Sequence, residues 1–199
     1  MATCRVLYHE GAKVALKKPI EITDEDQLVL FLRFLRAEDL SRCRYLRQLE
    51  LRDLGYTELE SAQDLIKTLP LLTNIENLRL VGAEVLLEDF PALVPPFSAL
   101  TSLRYLDLSA AKEVTCGLLS ALRSPLVSLR VDFLSDDDMK MWDLLDSDEW
   151  SQYHPTKLLA HFAETLEELY CMAWYTNQEA IYPVTVYPKM RKLAIELHD

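Results

Sequence analysis

One spacing recurs along this chain and limits what it can fold into. "LRQLEL" begins at Leu46, "IENLRL" at Ile75, "LRYLDL" at Leu103, "LVSLRV" at Leu126, "LEELYC" at Leu166 and "MRKLAI" at Met190. Each segment has apolar residues at its first, fourth and sixth positions. In a strand, positions four and six point to one side and position five to the other. A single six-residue strand cannot hide its leucines. Parallel copies stacked side by side can, and each buried leucine then contributes about 1.5–3 kcal/mol. Parallel neighbours require a crossover, usually a helix, between them.

The starts are separated by 29, 28, 23, 40 and 24 residues, so four of the five intervals lie in the window of a leucine-rich repeat. The spacing predicts an α/β leucine-rich-repeat solenoid of about six repeats. Its parallel sheet is expected on the concave side and irregular helices on the convex side. Residues 23–199 form that domain. Residues 1–22 fit no repeat and are expected to contribute a helix and the first strand, "KKPIEI". The 40-residue interval contains an acidic insertion at about 134–154, "LSDDDMKMWDLLDSDEW", expected as an extra amphipathic helix.

The spacers have helical signatures. Thr57 and Glu60 form a capping-box pattern ahead of Leu59, Ala62, Leu65, Ile66 and Leu69 at helical spacing before Pro70. The same start signal occurs as Thr23/Asp26, Ser135/Asp138 and Thr176/Glu179. "TCGLLSALRSP" predicts a shorter helix. Pro91, Pro95 and Pro96 break "EVLLEDFPALVPPFSALTS" into two short helical pieces. "HPTKLLAHFAETL" predicts a helix entering at Pro155, with Leu158, Leu159, Phe162 and Ala163 buried.

In-register strands would present three rows on the concave face. The middle row is Glu50, Arg79, Asp107, Arg130, Tyr170 and Ala194. The flanking rows are Gln48, Asn77, Tyr105, Ser128, Glu168, Lys192 and Arg52, Val81, Ser109, Asp132, Met172, Glu196. Charge alternates over the first four middle positions, which suits a ladder of cross-strand ion pairs. That ladder has two readings: it keeps an exposed sheet soluble and in register, or it contacts a partner. Aromatic and soft side chains gather towards the C-terminal half, where Trp174 and Tyr175 follow the fifth segment. Tyr, Trp, Met and Arg are enriched at interface cores. The candidate partner-binding residues are therefore Tyr105, Asp107, Arg130, Glu168, Tyr170 and Met172. The competing reading packs Trp174 and Tyr175 beneath "YPVTVYP".

Several function classes fit poorly. The net charge is −11, with five Lys/Arg against fourteen Asp/Glu over residues 131–199. Such a surface repels phosphate backbones, so nucleic acid is not expected as a partner. Apolar runs are too short for a membrane helix, "LVLFLRFL" being broken by Arg33, and no signal-peptide core opens the chain. Cys4, Cys43, Cys116 and Cys171 lie far apart, as expected of free thiols in the cytoplasm or nucleus. The four glycines are too sparse for a phosphate-binding loop, and no G-x-S-x-G occurs. His154 and His161 would sit about 10 Å apart along a helix, too far to share one zinc ion. The acidic run lacks the glycine and spacing of a calcium-binding EF-hand loop. It reads as a solvated face, a dock for a basic partner, or a setting for phosphorylation at Ser135. No nucleophile–base or metal constellation is visible, so neither an enzyme nor a cofactor is expected.

The opening "TCRVLYHEGAKVAL", the extended "KKPIEI", the helix-like "DQLVLFLRFL" and the first repeat "LRQLEL" resemble, in that order, a fungal F-box/leucine-rich-repeat protein. The specific part is the "TCR-x-LY" stretch at residues 3–8. In that family the F-box binds the Skp-type adaptor of a cullin–RING ubiquitin ligase and the repeats recruit the substrate. The resemblance implies a protein substrate on the concave face. Residues 1–22 would then be a remnant of the last F-box helix plus the first strand, with adaptor binding only if a complete F-box lies upstream. The opening "LP-x-E" motif is absent and the chain stops directly after "KLAIELHD", so a fragment is expected. The alternative is a leucine-rich-repeat scaffold or inhibitor unconnected to ubiquitin.

Overall fold

The computed structural model describes residues 2–37, 40–133, 158–172 and 185–196. It is an α/β structure. Seven strands form one all-parallel sheet in sequence order: β1 (Ile20–Ile22), β2 (Gln48–Arg52), β3 (Asn77–Val81), β4 (Tyr105–Ala111), β5 (Ser128–Phe133), β6 (Glu168–Met172) and β7 (Lys192–Glu196). Helix α1 (Ala2–Ala15) precedes β1, and α2 (Glu25–Arg36), α3 (Leu59–Thr68), α4 (Ala83–Asp89), α5 (Val94–Ser98) and α6 (Glu113–Ala121) lie in the connections between strands together with short 3-10 turns.

The leucine spacing accounts for the register. Leu49 pairs with Leu78, Leu78 with Leu106, Leu106 with Leu129, Leu129 with Leu169, and Leu169 with Leu193. The first five of these leucines are buried, as are Leu51, Leu80, Leu108 and Val131 at position six. First-position Leu46, Ile75, Leu103, Leu126 and Leu166 are fully buried, and Met190 packs partly against the same core. Leu35, Leu65, Leu69, Leu87, Phe97 and Leu119 bring the helical layer onto these leucines in one continuous core.

One hydrogen-bond arrangement returns at every junction between the six segments. The carbonyl at position two accepts the N–H groups of positions two and three in the next segment. Arg47 O takes Glu76 N and Asn77 N at 2.9 and 3.0 Å, and Glu76 O takes Arg104 N and Tyr105 N, both at 2.9 Å. Arg104 O, Val127 O and Glu167 O accept the next three pairs in the same way. The backbone is therefore paired just ahead of each strand, where a bare polar group would be costly.

Where helices begin, the expectation and the structure differ. Asp24, not Thr23, caps α2: its Oδ1 accepts Gln27 N at 2.8 Å, while Gln27 Oε1 accepts Thr23 N at 3.2 Å. Thr57 does not cap α3, because its hydroxyl donates backwards to Leu54 O at 2.6 Å. The α3 start is served from the preceding helix instead. Glu25 Oε1 accepts Glu58 N at 2.9 Å and the Ser61 hydroxyl at 2.6 Å. Ser61 is thus buried at that end, and Leu59, expected on the buried stripe, is 64% exposed. Glu84 of α4 does the same for α6. Its carboxylate is 2% exposed and accepts Lys112 N, Val114 N, Thr115 N and the Thr115 hydroxyl at 2.6–3.0 Å.

Three more expectations are corrected. The third open-face row does not run on from Ser109 to Asp132, because β4 bulges between Leu108 and Ala111. Ala110 there takes φ 57°, and Ala111 pairs with Phe133. From Leu158 the chain passes into a 3-10 turn, Ala160–Phe162, rather than continuing as a helix. Leu158, Leu159 and Phe162 are buried there, but Ala163 only partly. Leu193 is 58% exposed, because β7 pairs only with β6 among the described residues and nothing described covers its far side. The acidic insertion, the start signals at Ser135 and Thr176, His154, Trp174 and Tyr175 lie outside the described residues.

The N-terminal helix joins the body through a buried arginine. Arg42 is 1% exposed, lies 4.3 Å from the Phe34 ring and 4.9 Å from the Tyr8 ring, and donates to Phe34 O at 3.0 Å. Stacking on two rings suits a guanidinium better than an ammonium, which is more strongly hydrated. Among the described residues no helix is long and apolar enough to cross a membrane.

Candidate functional site

The face of the sheet opposite the leucines carries the polar positions of every strand. Leucines at positions four and six commit one side to the core, so positions three and five must emerge on the other. The observed middle row is Glu21, Glu50, Arg79, Asp107, Arg130, Tyr170 and Ala194. Beside it run Gln48, Asn77, Tyr105, Ser128, Glu168 and Lys192. A groove of about 370 Å³ follows these rows from Gln48 to Tyr170.

The charges near β1–β4 are spent on one another. Arg52 bridges Glu21 and Glu50, at 3.2 and 2.6 Å. Arg79 bridges Glu50 and Asp107, both at 3.3 Å. The alternating ladder is therefore real as far as Asp107. It stops there: Arg130 is exposed and has no carboxylate at ion-pair distance among the described residues. Burial pushes the Asp107 carboxyl above its ordinary range, and the guanidinium groups of Arg79 and Arg130 offset this only in part.

The C-terminal half of the face is different. Tyr105 is 44% exposed. The Ser128 hydroxyl donates to Glu168 Oε2 at 3.2 Å. The Lys192 ammonium lies 4.7 Å from the centre of the Tyr170 ring, and its hydrogen bond to Tyr170 raises its pKa. Of the expected partner-binding residues, Tyr105, Asp107, Arg130, Glu168 and Tyr170 all lie on this face. Met172 continues β6, with its backbone paired to Glu196. Glu21 and Arg52 belong to the ion-pair chain although neither was among the candidates. Glu21 stands on a strand outside the six leucine segments, and only the alternation of Ile20 and Ile22 around it marks that strand.

Among the described residues the Cys171 thiol is free and half-buried, packed against the leucine core. Cys43 and Cys116 are buried free thiols, and burial pushes Cys116 up to about 12. A thiol so far from ionisation is a poor nucleophile. Among the described residues, the open face carries hydrogen-bond donors and acceptors, the rings of Tyr105 and Tyr170, and the Arg130 guanidinium with no carboxylate at ion-pair distance. No protein-family model matches this chain, and neither does any curated protein or solved structure.

Proposed function

We propose that this chain is a non-catalytic protein-recognition module, a leucine-rich-repeat solenoid of about six irregular units. Its open face, the concave side on this reading, takes a protein partner. The observation that carries the reading is the carbonyl arrangement repeated at all five junctions between in-register leucine segments. Such a stack makes one long polar face and one long apolar core from a single local pattern, and extended binding faces are what repeat arrays provide.

The resemblance at residues 3–8 favours substrate recruitment for an F-box type ubiquitin ligase, acting in the cytoplasm or nucleus. The test is co-purification with a purified Skp-type adaptor, run with and without any coding sequence that precedes Met1. A stoichiometric complex in the longer form supports the ligase reading. Adaptor-free, saturable binding of one protein, weakened by Tyr170→Ala, supports the scaffold or inhibitor reading instead.

A further inference from the structure

We propose that two copies of this chain associate through their β7 edges, the two strands pairing antiparallel about Ala194 on a two-fold axis.

β7 ends the sheet and, among the described residues, pairs only with β6. Lys192 N is turned towards β6, where it donates to Glu167 O at 3.1 Å. Backbone groups alternate in direction along a strand, so the N–H and C=O of Leu193 and Ile195 are directed to the free edge. Leu193 stands on the core face of the sheet yet is 58% exposed, and Val186, a little ahead of the strand, is 72% exposed. The other end of the sheet is closed. Ile22 of β1 is 3% exposed and Leu16 before it 1% exposed. An unpaired edge with an exposed apolar side chain is a template for another strand, and that template lies at the β7 end.

The residues of β7 select a second copy as the occupant. Lys192-Leu193-Ala194-Ile195-Glu196 is its own complement when laid antiparallel on itself. Ala194 falls opposite Ala194, Leu193 opposite Ile195, and Lys192 opposite Glu196, the last two pairings each occurring twice by symmetry. Leu193 and Ile195 are also the residues whose backbone groups face the edge, as the hydrogen-bonded pairs of an antiparallel ladder require. Glu196 has Met172 as its neighbour on β6, and Lys192 has Glu168. Lys192 would thus stand between two carboxylates, as Arg79 stands between Glu50 and Asp107. Residues opposite one another in such a pair share a face, so the two grooves would open on one side of a continuous sheet with seven strands from each copy. Five paired residues a side bury less than the roughly 1,200–2,000 Å² of a stable interface. The dimer therefore forms in concentrated solution, and the chain is monomeric at the low concentrations of a urea titration.

Sedimentation equilibrium of the intact chain from about 5 to 500 µM is expected to show monomer passing to dimer and stopping there, because two-fold pairing consumes both edges. Lys192→Glu sets a glutamate opposite Glu196 twice, and Glu196→Lys sets a lysine opposite Lys192 twice. Each substitution is expected to weaken the dimer about tenfold. An equimolar mixture of the two variants restores both attractions and is expected to associate at least as tightly as the parent. A monomer at every concentration overturns the proposal. So do association that runs on past the dimer, a dimer indifferent to the charge reversals, and variants that pair no better mixed than alone.

Discussion

At the residue scale, the most consequential polar group is Glu84. Four donors at the start of α6 converge on one buried carboxylate. The positive end of the helix adds to the attraction. Glu84→Ala leaves those donors without acceptors and is expected to cost about 3 kcal/mol or more, read from the urea midpoint. Gly55 is constrained by space. A Cβ there would run into the Val85 side chain, so Gly55→Ala should destabilise by about 1–3 kcal/mol. Adding Val85→Ala should recover part of that loss, and a double-mutant cycle measures how much. Asp107 makes a pH prediction. Its raised pKa means that the native chain holds this proton more tightly than the unfolded chain does. Ionisation of Asp107 therefore subtracts stability as pH rises from its unfolded value through its folded value. The subtraction is complete above the folded value. Asp107→Asn should melt no lower than the parent at neutral pH, and the two curves should converge below about pH 4, where the unfolded carboxyl is also protonated.

At the element scale, strands and helices are fixed by different rules. Each strand owes its position to apolar residues two apart, and from β2 to β7 each is linked to the next by the same carbonyl just ahead of it. The α3 and α6 starts depend on the helices before them, through Glu25 and Glu84. Neighbouring elements therefore share their losses. Leu106→Asp puts an unpaired charge between β3 and β5 and should unfold several elements together, seen as loss of far-UV circular dichroism and a sharply lower urea midpoint. Tyr170→Ala, on the opposite face, should leave the spectrum and the midpoint nearly unchanged. Similar urea melts for the two variants would mean that the inward and outward faces are wrongly assigned.

At the scale of the whole molecule, one core runs from Leu16 to Leu169 beneath a seven-stranded sheet. Its cover is uneven. The position-four leucine is 3% exposed in β4 and 58% exposed in β7. Leu106→Ala should therefore cost about 2–5 kcal/mol, whereas Leu193→Ala should cost well under 1 kcal/mol, both by urea titration. A large loss at Leu193 would show that some further layer covers β7 in solution. The open face is also divided along its length. Near β1–β4 its charges form ion pairs with one another, and towards β5–β7 it presents Arg130, Tyr170 and Lys192.

Sequence alone determined where the strands lie, the register of their leucines and the side that positions three to six of each segment face. Period-two alternation is a property of the local backbone, and six copies of one spacing align with one another in only one economical way. Gln48, Glu50, Tyr105, Asp107, Arg130 and Tyr170 could be assigned to the open face on that basis. Tertiary structure decided what each of those groups meets. Whether a threonine caps its own helix or yields to a glutamate from the preceding one depends on distances across a packed layer. So does the bulge that breaks the third row, the exposure of Leu193, and the end of the ion-pair chain at Asp107. These are properties of neighbours brought together by folding, and no spacing along the chain encodes them.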